Sequence, residues 1–309
     1  MAARTAAKSA PEPATKAATK AAAEPASAAA PTARRRSGGL FRVGIGGWNF
    51  APWRDNFYPA RLPQSRELAY ASRHLSAIEI NSTYHGTQKR SSFIKWRDET
   101  PEDFVFSVKA SRFATNRRVL AESGESIERF IDSGIAELGP KLGPLVWQFA
   151  PTKQFDAEDF EGFLQLLPAS VEGVKLRHVL EVRHDSFMSP DYLKLARKYK
   201  AATVFTDSPK FPSMADLTAD FVYARLMESS EKLNTGYGPK ALDEWAARAQ
   251  SWAQGAQPDD LPVLEDRKPA AREREVFLFF INGAKERAPA AAQALLERLG
   301  WTPPAEADA

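Results

Sequence analysis

The sequence predicts one (β/α)₈ barrel over residues 39–309, preceded by a disordered basic tail over residues 1–38. Three observations lead there. Eight short β-rich apolar runs follow one another from Leu40 onward. Most intervals between them carry apolar residues at helical spacing. The eight units fill roughly 250 residues, the usual size of a closed parallel barrel.

The strand candidates are 41–47 (FRVGIGG), 77–81 (AIEIN), 104–110 (FVFSVKA), 145–150 (LVWQFA), 178–184 (HVLEVRH), 201–207 (AATVFTD), 220–226 (DFVYARL) and 275–281 (EVFLFFI). Each has ordinary strand length. Helices are expected over 65–75, 125–138, 157–167, 190–199, 240–253 and 288–299, where residues such as Ile127, Phe130, Ile131, Ile135 and Leu138 share one face. Within 82–103, Phe93, Ile94 and Trp96 suggest a short helix before Pro101. Alternating strands and helices require parallel pairing, because a crossover needs about a dozen residues. A doubly wound open sheet is the competing arrangement. It usually shows a phosphate-binding glycine turn after an early strand, and GIGGWN (44–49) lacks that spacing. Two intervals depart from the ideal. The connection between strands six and seven (208–219, SPKFPSMADLTA) is too short and proline-broken for a helix, and 254–274 is a polar, proline-containing excursion expected to be exposed.

The 309 residues include 43% hydrophobic and 26% charged residues, an ordinary globular balance. There is no cysteine, so disulfides, thiolate metal sites and cysteine nucleophiles are excluded. With no apolar run of 18 residues and no secretory h-region, the expected location is the cytoplasm, without membrane contact. The formal charge of +3 hides an asymmetry. Residues 1–38 hold seven Lys/Arg and two acids, whereas the remainder holds 35 basic and 37 acidic residues. The body therefore offers no global basic surface for nucleic acid. The Ala/Lys/Pro-rich tail has too little apolar area to fold alone, and its charge fits either a solvated extension or weak nucleic-acid contact.

In a parallel barrel every strand ends on the same face, and there the polar residues collect. Trp48 and Asn49 follow strand one; Glu79 and Asn81 end strand two, with Tyr84 and His85 beyond. Lys109 ends strand three, Gln148 strand four, and Glu181, Arg183 and His184 strand five; Asp207, Arg225 and Asn282 close strands six to eight. Residues two apart share a strand face, so Glu79 and Glu181 are placed to enter the lumen from opposite sides, with Lys109, Arg183 and Arg225 near them. An interior Glu–Arg network can equally be architectural. The aromatics Trp48, Phe50, Trp53, Phe57, Tyr58 and Tyr84 fit either a stacking platform for a ring or a plug over the mouth. Four histidines without paired spacing give no metal site, although Glu79, Glu181, His184 and Asp207 form an imaginable set. Neither a phosphate loop nor a serine nucleophile elbow is present, and no cofactor is expected.

Several segments together resemble the YecE-like family, domain of unknown function 72. They are GIGGWNFAPWRDNFYP (44–59), AIEINSTYHG (77–86), ETPEDFVFSVKASRFATN (99–116), LGPKLGPLVWQFAP (138–151), VLEVRHDSF (179–187), DFVYARL (220–226) and VFLFFIN (276–282). The resemblance covers roughly 41–300. It implies a TIM-barrel-like fold and no settled reaction. Carried over, its strand-end positions fall on Glu79, Asn81, Tyr84, Lys109, Gln148, Glu181, Arg183, His184, Arg225 and Asn282. Two departures stand out. The family commonly continues strand seven as R-L-H-G, whereas this chain reads Arg225-Leu226-Met227-Glu228. After strand eight the family often has N-N or N-D, and here Gly283 follows Asn282.

The expected function is therefore a barrel with a polar cleft at its C-terminal mouth, an enzyme acting on a sugar-like or anionic small molecule. Glu79, Glu181, Lys109, Arg183 and His184 are its catalytic candidates, and Trp48, Asn81, Tyr84, Gln148, Arg225 and Asn282 its ligand contacts. A paired-carboxylate glycoside reaction calls for carboxyls about 5–9.5 Å apart. The alternatives are a nucleic-acid-associated protein using the tail, and a noncatalytic ligand-binding scaffold, for which Met227 is the motive.

Overall fold

A computed structural model describes residues 40–304; the tail expected over 1–38 lies outside the described residues. Eight strands form a closed, all-parallel barrel: β1 (Phe41–Gly46), β2 (Ala77–Ile80), β3 (Val105–Lys109), β4 (Leu142–Gln148), β5 (His178–Glu181), β6 (Ala202–Thr206), β7 (Phe221–Leu226) and β8 (Glu275–Phe280). Each strand pairs with its neighbours in sequence, and β8 closes onto β1, with Arg42 opposite Phe277 and Gly44 opposite Phe279. The helices are α1 (Glu67–His74), α2 (Arg90–Asp98), α3 (Gly124–Ile131), α4 (Ala157–Gln165), α5 (Pro190–Lys198), α6 (Pro239–Ala253) and α7 (Ala288–Arg298). Short 3₁₀ turns and the single turn Arg112–Thr115 lie in the loops.

Period-two alternation sorts the strand residues into two cores. Ile78, Ile80, Phe106, Val108, Leu278 and Phe280 point outward and join the helix faces in the main apolar cluster. Ala77, Val105, Val146, Val179, Tyr223 and Phe277 point inward and fill the lumen. Gly44 permits closure at the seam: a Cβ there would lie 1.8 Å from the carbonyl oxygen of Ala77. At the N-terminal end the lumen holds an ion cluster in which Glu275 accepts from Arg42 (2.7 Å) and Arg177 (2.5 Å). Polarity at that end of a barrel serves the fold rather than the chemistry.

Some expectations need correction. The helix expected over 125–138 ends at Ile131, and Ile135–Lys141 winds as a tighter 3₁₀ segment containing Pro140. Between them Gly134 adopts φ +105°, a left-handed conformation that stops a continuous helix. Strand four starts three residues earlier than expected, at Leu142. It absorbs Pro144 at a register shift against β3, where the Ser107 hydroxyl donates to the Pro144 carbonyl (3.0 Å). A small hairpin pairs Ser170–Val171 with Val174–Lys175, and its strands are too short to leave a periodic signal. The helix-free connection between β6 and β7 and the largely exposed 254–274 excursion are as expected, and the two are bonded to one another. The Ala215 amide donates to Pro262 (2.7 Å), the Leu264 amide to Asp216 (2.8 Å), and Arg197 pairs with Glu265. The two irregular segments clasp one another.

Candidate functional site

The lumen rises in two polar layers above its apolar filling. In the lower layer Tyr223, stacked against Phe277 and tilted on Phe279, donates its hydroxyl to Glu79 Oε2 (2.8 Å), and its oxygen lies 2.8 Å from that of Ser107. Two residues further along β7, on the same face, Arg225 forms the upper layer. Its Nη1 lies 2.6 Å from each oxygen of Glu181, and its Nη2 donates to Glu79 Oε1 (3.0 Å). Arg183 adds two donors to Glu181 Oε1, at 3.0 and 2.7 Å, and Gln148 donates to Glu181 Oε2 (2.7 Å). The registers Gly46–Glu79, Glu79–Ser107 and Gln148–Glu181 explain why these side chains meet: each is the last inward position of its strand or next to it.

Charge orders this network. Burial pushes the Glu181 carboxyl upward, but the Arg225 and Arg183 guanidiniums and the Lys109 ammonium outweigh burial and hold it down at about 2. Burial works against the Arg225 cation, and Glu181 and Glu79 more than offset it, raising its pKa. The hydroxyl of Tyr223 is pushed well above its ordinary value, by burial first and then by Glu79. Beneath the mouth Glu181 thus accepts from Arg225, Arg183 and Gln148, and each oxygen of Glu79 accepts from one donor.

Lys109 is the exception. Its ammonium sits 4.3 Å above the centre of the Tyr84 ring, and among the described residues it donates to no acceptor and joins no ion pair. Burial first, and then Arg225, bring its pKa down to about 8, against the opposing pull of Glu181 and Glu79. Its residual exposure is 9%, and the nitrogen is not among the fully enclosed polar atoms that lack a partner, so it faces the mouth. Arg183 is also partly open, with its guanidinium 4.4 Å from the centre of the Phe211 ring.

The structure brings together Glu79, Glu181, Arg183, Arg225, Gln148, Lys109 and Tyr84, and places the remaining predicted residues elsewhere. The Asn81 amide folds back to the carbonyl of Glu79 (3.3 Å). His184 caps the 3₁₀ turn Asp185–Phe187, its Nδ1 accepting from the Ser186 amide (3.1 Å), and takes no part in the network. Trp48 packs edge-on against Trp96 (5.2 Å) and the outward-facing Phe106 (6.5 Å), so it turns toward the helix layer instead of roofing the lumen. Trp53, Phe57 and Tyr58 are likewise buried in the outer core, with Trp53 Nε1 donating to the Lys285 carbonyl (2.9 Å). The aromatic segment packs into the outer core and neither roofs the lumen as a stacking platform nor closes it as a plug. Among the described residues no cluster of three or more His, Asp or Glu is arranged to hold a metal. Asp207 instead anchors the loop after β7, accepting from the Met227 amide (2.6 Å) and the Tyr237 hydroxyl (2.7 Å).

Sequence reasoning missed Tyr223, Ser107 and Phe211. The first two were findable, since Tyr223 is two residues before Arg225 and Ser107 two before Lys109 on the same faces. Phe211 lies in an irregular connection with no periodic signal.

Residues 42–308 match the family model described as "Protein of unknown function DUF72". The chain belongs to the DUF72 family. It is 27% identical over 168 residues to UPF0759 protein YunF of Bacillus subtilis (strain 168), covering 53% of this chain and 57% of that protein. It is 25% identical over 153 residues to UPF0759 protein YecE of Escherichia coli (strain K12), covering 48% and 51% respectively. The chain thus spans about half the length of these curated relatives. A DUF72 family crystal structure from Thermotoga maritima superposes with a TM-score of 0.62 at 22% identity, covering 83% of this chain and 96% of that one. Another from Enterococcus faecalis V583 gives 0.63 at 15% identity, covering 87% and 100%. Both likenesses speak to the fold.

The two segments singled out in the sequence, Met227-Glu228 and Asn282-Gly283, are neighbours in space. The Asn282 amide lies 3.8 Å from the Met227 sulfur. Gly283 has φ +76°, and a Cβ there would sit 2.5 Å from the Ser229 carbonyl oxygen and 2.8 Å from that of Met227. Glycine at 283 lets the loop after β8 close against the loop after β7, where Ser229 and Gly283 form a parallel bridge. Met227 and Gly283 therefore belong to one corner of the mouth.

Proposed function

We propose that this DUF72 barrel binds a small anionic, polyhydroxylated molecule at its C-terminal mouth. Lys109 and Arg183 are the contacts, and Glu181, Arg225 and Glu79 form the rigid floor. The observation that carries this reading is the Lys109 ammonium, held over the Tyr84 ring without an acceptor among the described residues, beside carboxylates that are engaged by Arg225, Arg183, Gln148 and Tyr223. An ammonium in a low-dielectric mouth lacking its own counter-ion is a receptor for one. Arg183, half committed to Glu181, supplies a second donor set suited to a carboxylate or phosphoryl group.

The same geometry weighs against a paired-carboxylate hydrolysis. Glu79 is fully buried with an oxygen each on Tyr223 and Arg225. Glu181 is held ionised and offers no proton at neutral pH. In this reading the two glutamates orient the cations and do not attack or protonate the ligand.

Thermal denaturation with a panel of ligands tests the proposal. Glycerol 3-phosphate, lactate and gluconate should stabilise the protein, whereas neutral glycerol and sorbitol should not. At a ligand concentration a hundred times Kd the stabilisation is about 2.7 kcal/mol, roughly 5–10 °C for a domain of this size. The Lys109→Met variant should lose the shift. An equal shift in wild type and variant would remove Lys109 from the site, and no shift with any anion would reject the reading.

A further inference from the structure

We infer that Lys109 is an imine-forming nucleophile, so that the ligand taken at the mouth is an anion bearing a reactive carbonyl, such as a 2-oxo acid or an open-chain keto phosphate. The inference rests on the anion-binding reading above and goes further, from a contact to a covalent step.

Three features of the geometry carry it. First, the amine is isolated. Glu181 accepts from Arg225, Arg183 and Gln148, and Glu79 from Arg225 and Tyr223, and neither makes a direct ion pair with Lys109, acting on it only at longer range. Second, two guanidiniums in the same network oppose its positive charge, and adjacent cations are a recognised means of freeing a lysine amine. Third, the side chain is held in place. It leaves the last residue of β3, its carbonyl accepts from the Thr83 hydroxyl (2.6 Å), and its nitrogen rests over the Tyr84 ring. An ion-pair lysine needs the first condition reversed, and a surface lysine lacks the third.

The step balances without redox chemistry. The neutral amine of Lys109 attacks the carbonyl carbon, forming a C–N bond. The nitrogen loses a proton and the carbonyl oxygen gains one, giving a carbinolamine. The hydroxyl then takes a proton from solvent at the open mouth and leaves as water, and the nitrogen lone pair closes the C=N bond, so one solvent proton is taken up overall. The ligand's carboxylate or phosphoryl group pairs with Arg183 and fixes the approach. The protonated imine inherits the charge that Lys109 bore as an ammonium, so Glu181 and Glu79 stabilise the product electrostatically, as they do the ammonium.

The free-amine fraction sets the size of the effect. A lysine titrating near 8 is about one-tenth neutral at pH 7, against roughly one part in 2,500 for an ordinary lysine, a several-hundredfold advantage in available nucleophile. Intrinsic nucleophilicity falls as the pKa falls, which leaves an expected excess of roughly tenfold or more in labelling.

Reductive trapping on the full-length protein tests it. The protein is incubated at pH 7 with pyruvate or dihydroxyacetone phosphate and sodium cyanoborohydride, then mapped by peptide mass spectrometry. The expected result is one dominant adduct on Lys109, at least about tenfold above any other lysine. It should be suppressed by glycerol 3-phosphate and absent in Lys109→Arg, whose fold is checked by its melting transition. Uniform labelling of all lysines, or no adduct at Lys109, overturns the imine. If lactate and glycerol 3-phosphate still stabilise the protein in that event, the anion site stands without the imine; if they do not, both fall.

Discussion

Lys109→Met removes the least comfortable charge in the barrel and should stabilise the unliganded protein. Lys109 titrates near 8 in the fold against 10.5 for a free lysine. The sign follows from which state binds more protons. Between about 8 and 10.5 the unfolded chain keeps its proton while the folded amine has lost it, so stability rises with pH across that window. Above 10.5 the penalty is absent, and as the pH falls through about 8 it is fully present. The shift of about two and a half units corresponds to about 3 kcal/mol at pH 7. Methionine matches the stem of lysine, so it fills the same volume without the charge. It gives up the contact with the Tyr84 ring, about 1 kcal/mol or less. The expected net gain is roughly 2–3 kcal/mol at pH 7, shrinking toward zero by pH 10.5. Urea unfolding of wild type and variant at pH 7, 8.5 and 10 measures it. A variant less stable than wild type at pH 7, or a difference independent of pH, would refute the description of Lys109 as a buried ammonium lacking an acceptor. A gain in stability at the loss of ligand binding is the exchange expected of a functional position.

Glu181→Gln should destabilise by roughly 3–5 kcal/mol in urea unfolding at pH 7, because it leaves the buried Arg225 and the partly open Arg183 facing an amide. In wild type the Glu181 contribution is present above pH 4.5 and lost as the pH falls toward 2, so the difference between the two proteins should narrow in acid. Tyr223→Phe strips Glu79 Oε2 of its donor and should cost about 1–3 kcal/mol, read from the same unfolding curves. Gly44→Ala drives a Cβ to within 1.8 Å of the Ala77 carbonyl oxygen and should prevent barrel closure, seen as loss of a cooperative melting transition. The barrel carries slightly more acid than base, so any affinity for duplex DNA should vanish when residues 1–38 are removed. Equal, salt-steep binding with and without those residues would place the contact on the barrel instead.

The barrel was legible in the sequence because a parallel strand buried on both faces leaves an apolar run that few other structures produce. The runs ending at Lys109, Glu181 and Arg225 carried a further signal: a charge inside such a run needs a partner, and the common strand direction says where that partner lies. Period two then put Glu79, Glu181 and Arg225 in one lumen. What sequence could not supply was who pairs with whom. Glu79 and Glu181 read as a matched pair of carboxylates, yet the arginine between them turns both into acceptors. Trp48 and His184 stand beyond the last regular strand position, where alternation no longer fixes direction, and both turned to packing or capping. The strand containing Pro144 and the clasp between 213–218 and 254–274 depend on tertiary hydrogen bonds that leave no periodic trace.

The central claim is that the mouth of the barrel is an anion site organised by Lys109. A crystal structure of the protein grown with glycerol 3-phosphate tests it most directly. The account predicts the phosphoryl group within hydrogen-bonding distance of Lys109 Nζ and the Arg183 guanidinium, with the Glu181–Arg225–Glu79 floor unmoved. A second cationic groove, of about 440 Å³ and lined by Arg112, Arg117 and Arg129, competes for the same ligand. The ligand lodged in that groove, with nothing bound at Lys109, would contradict the account.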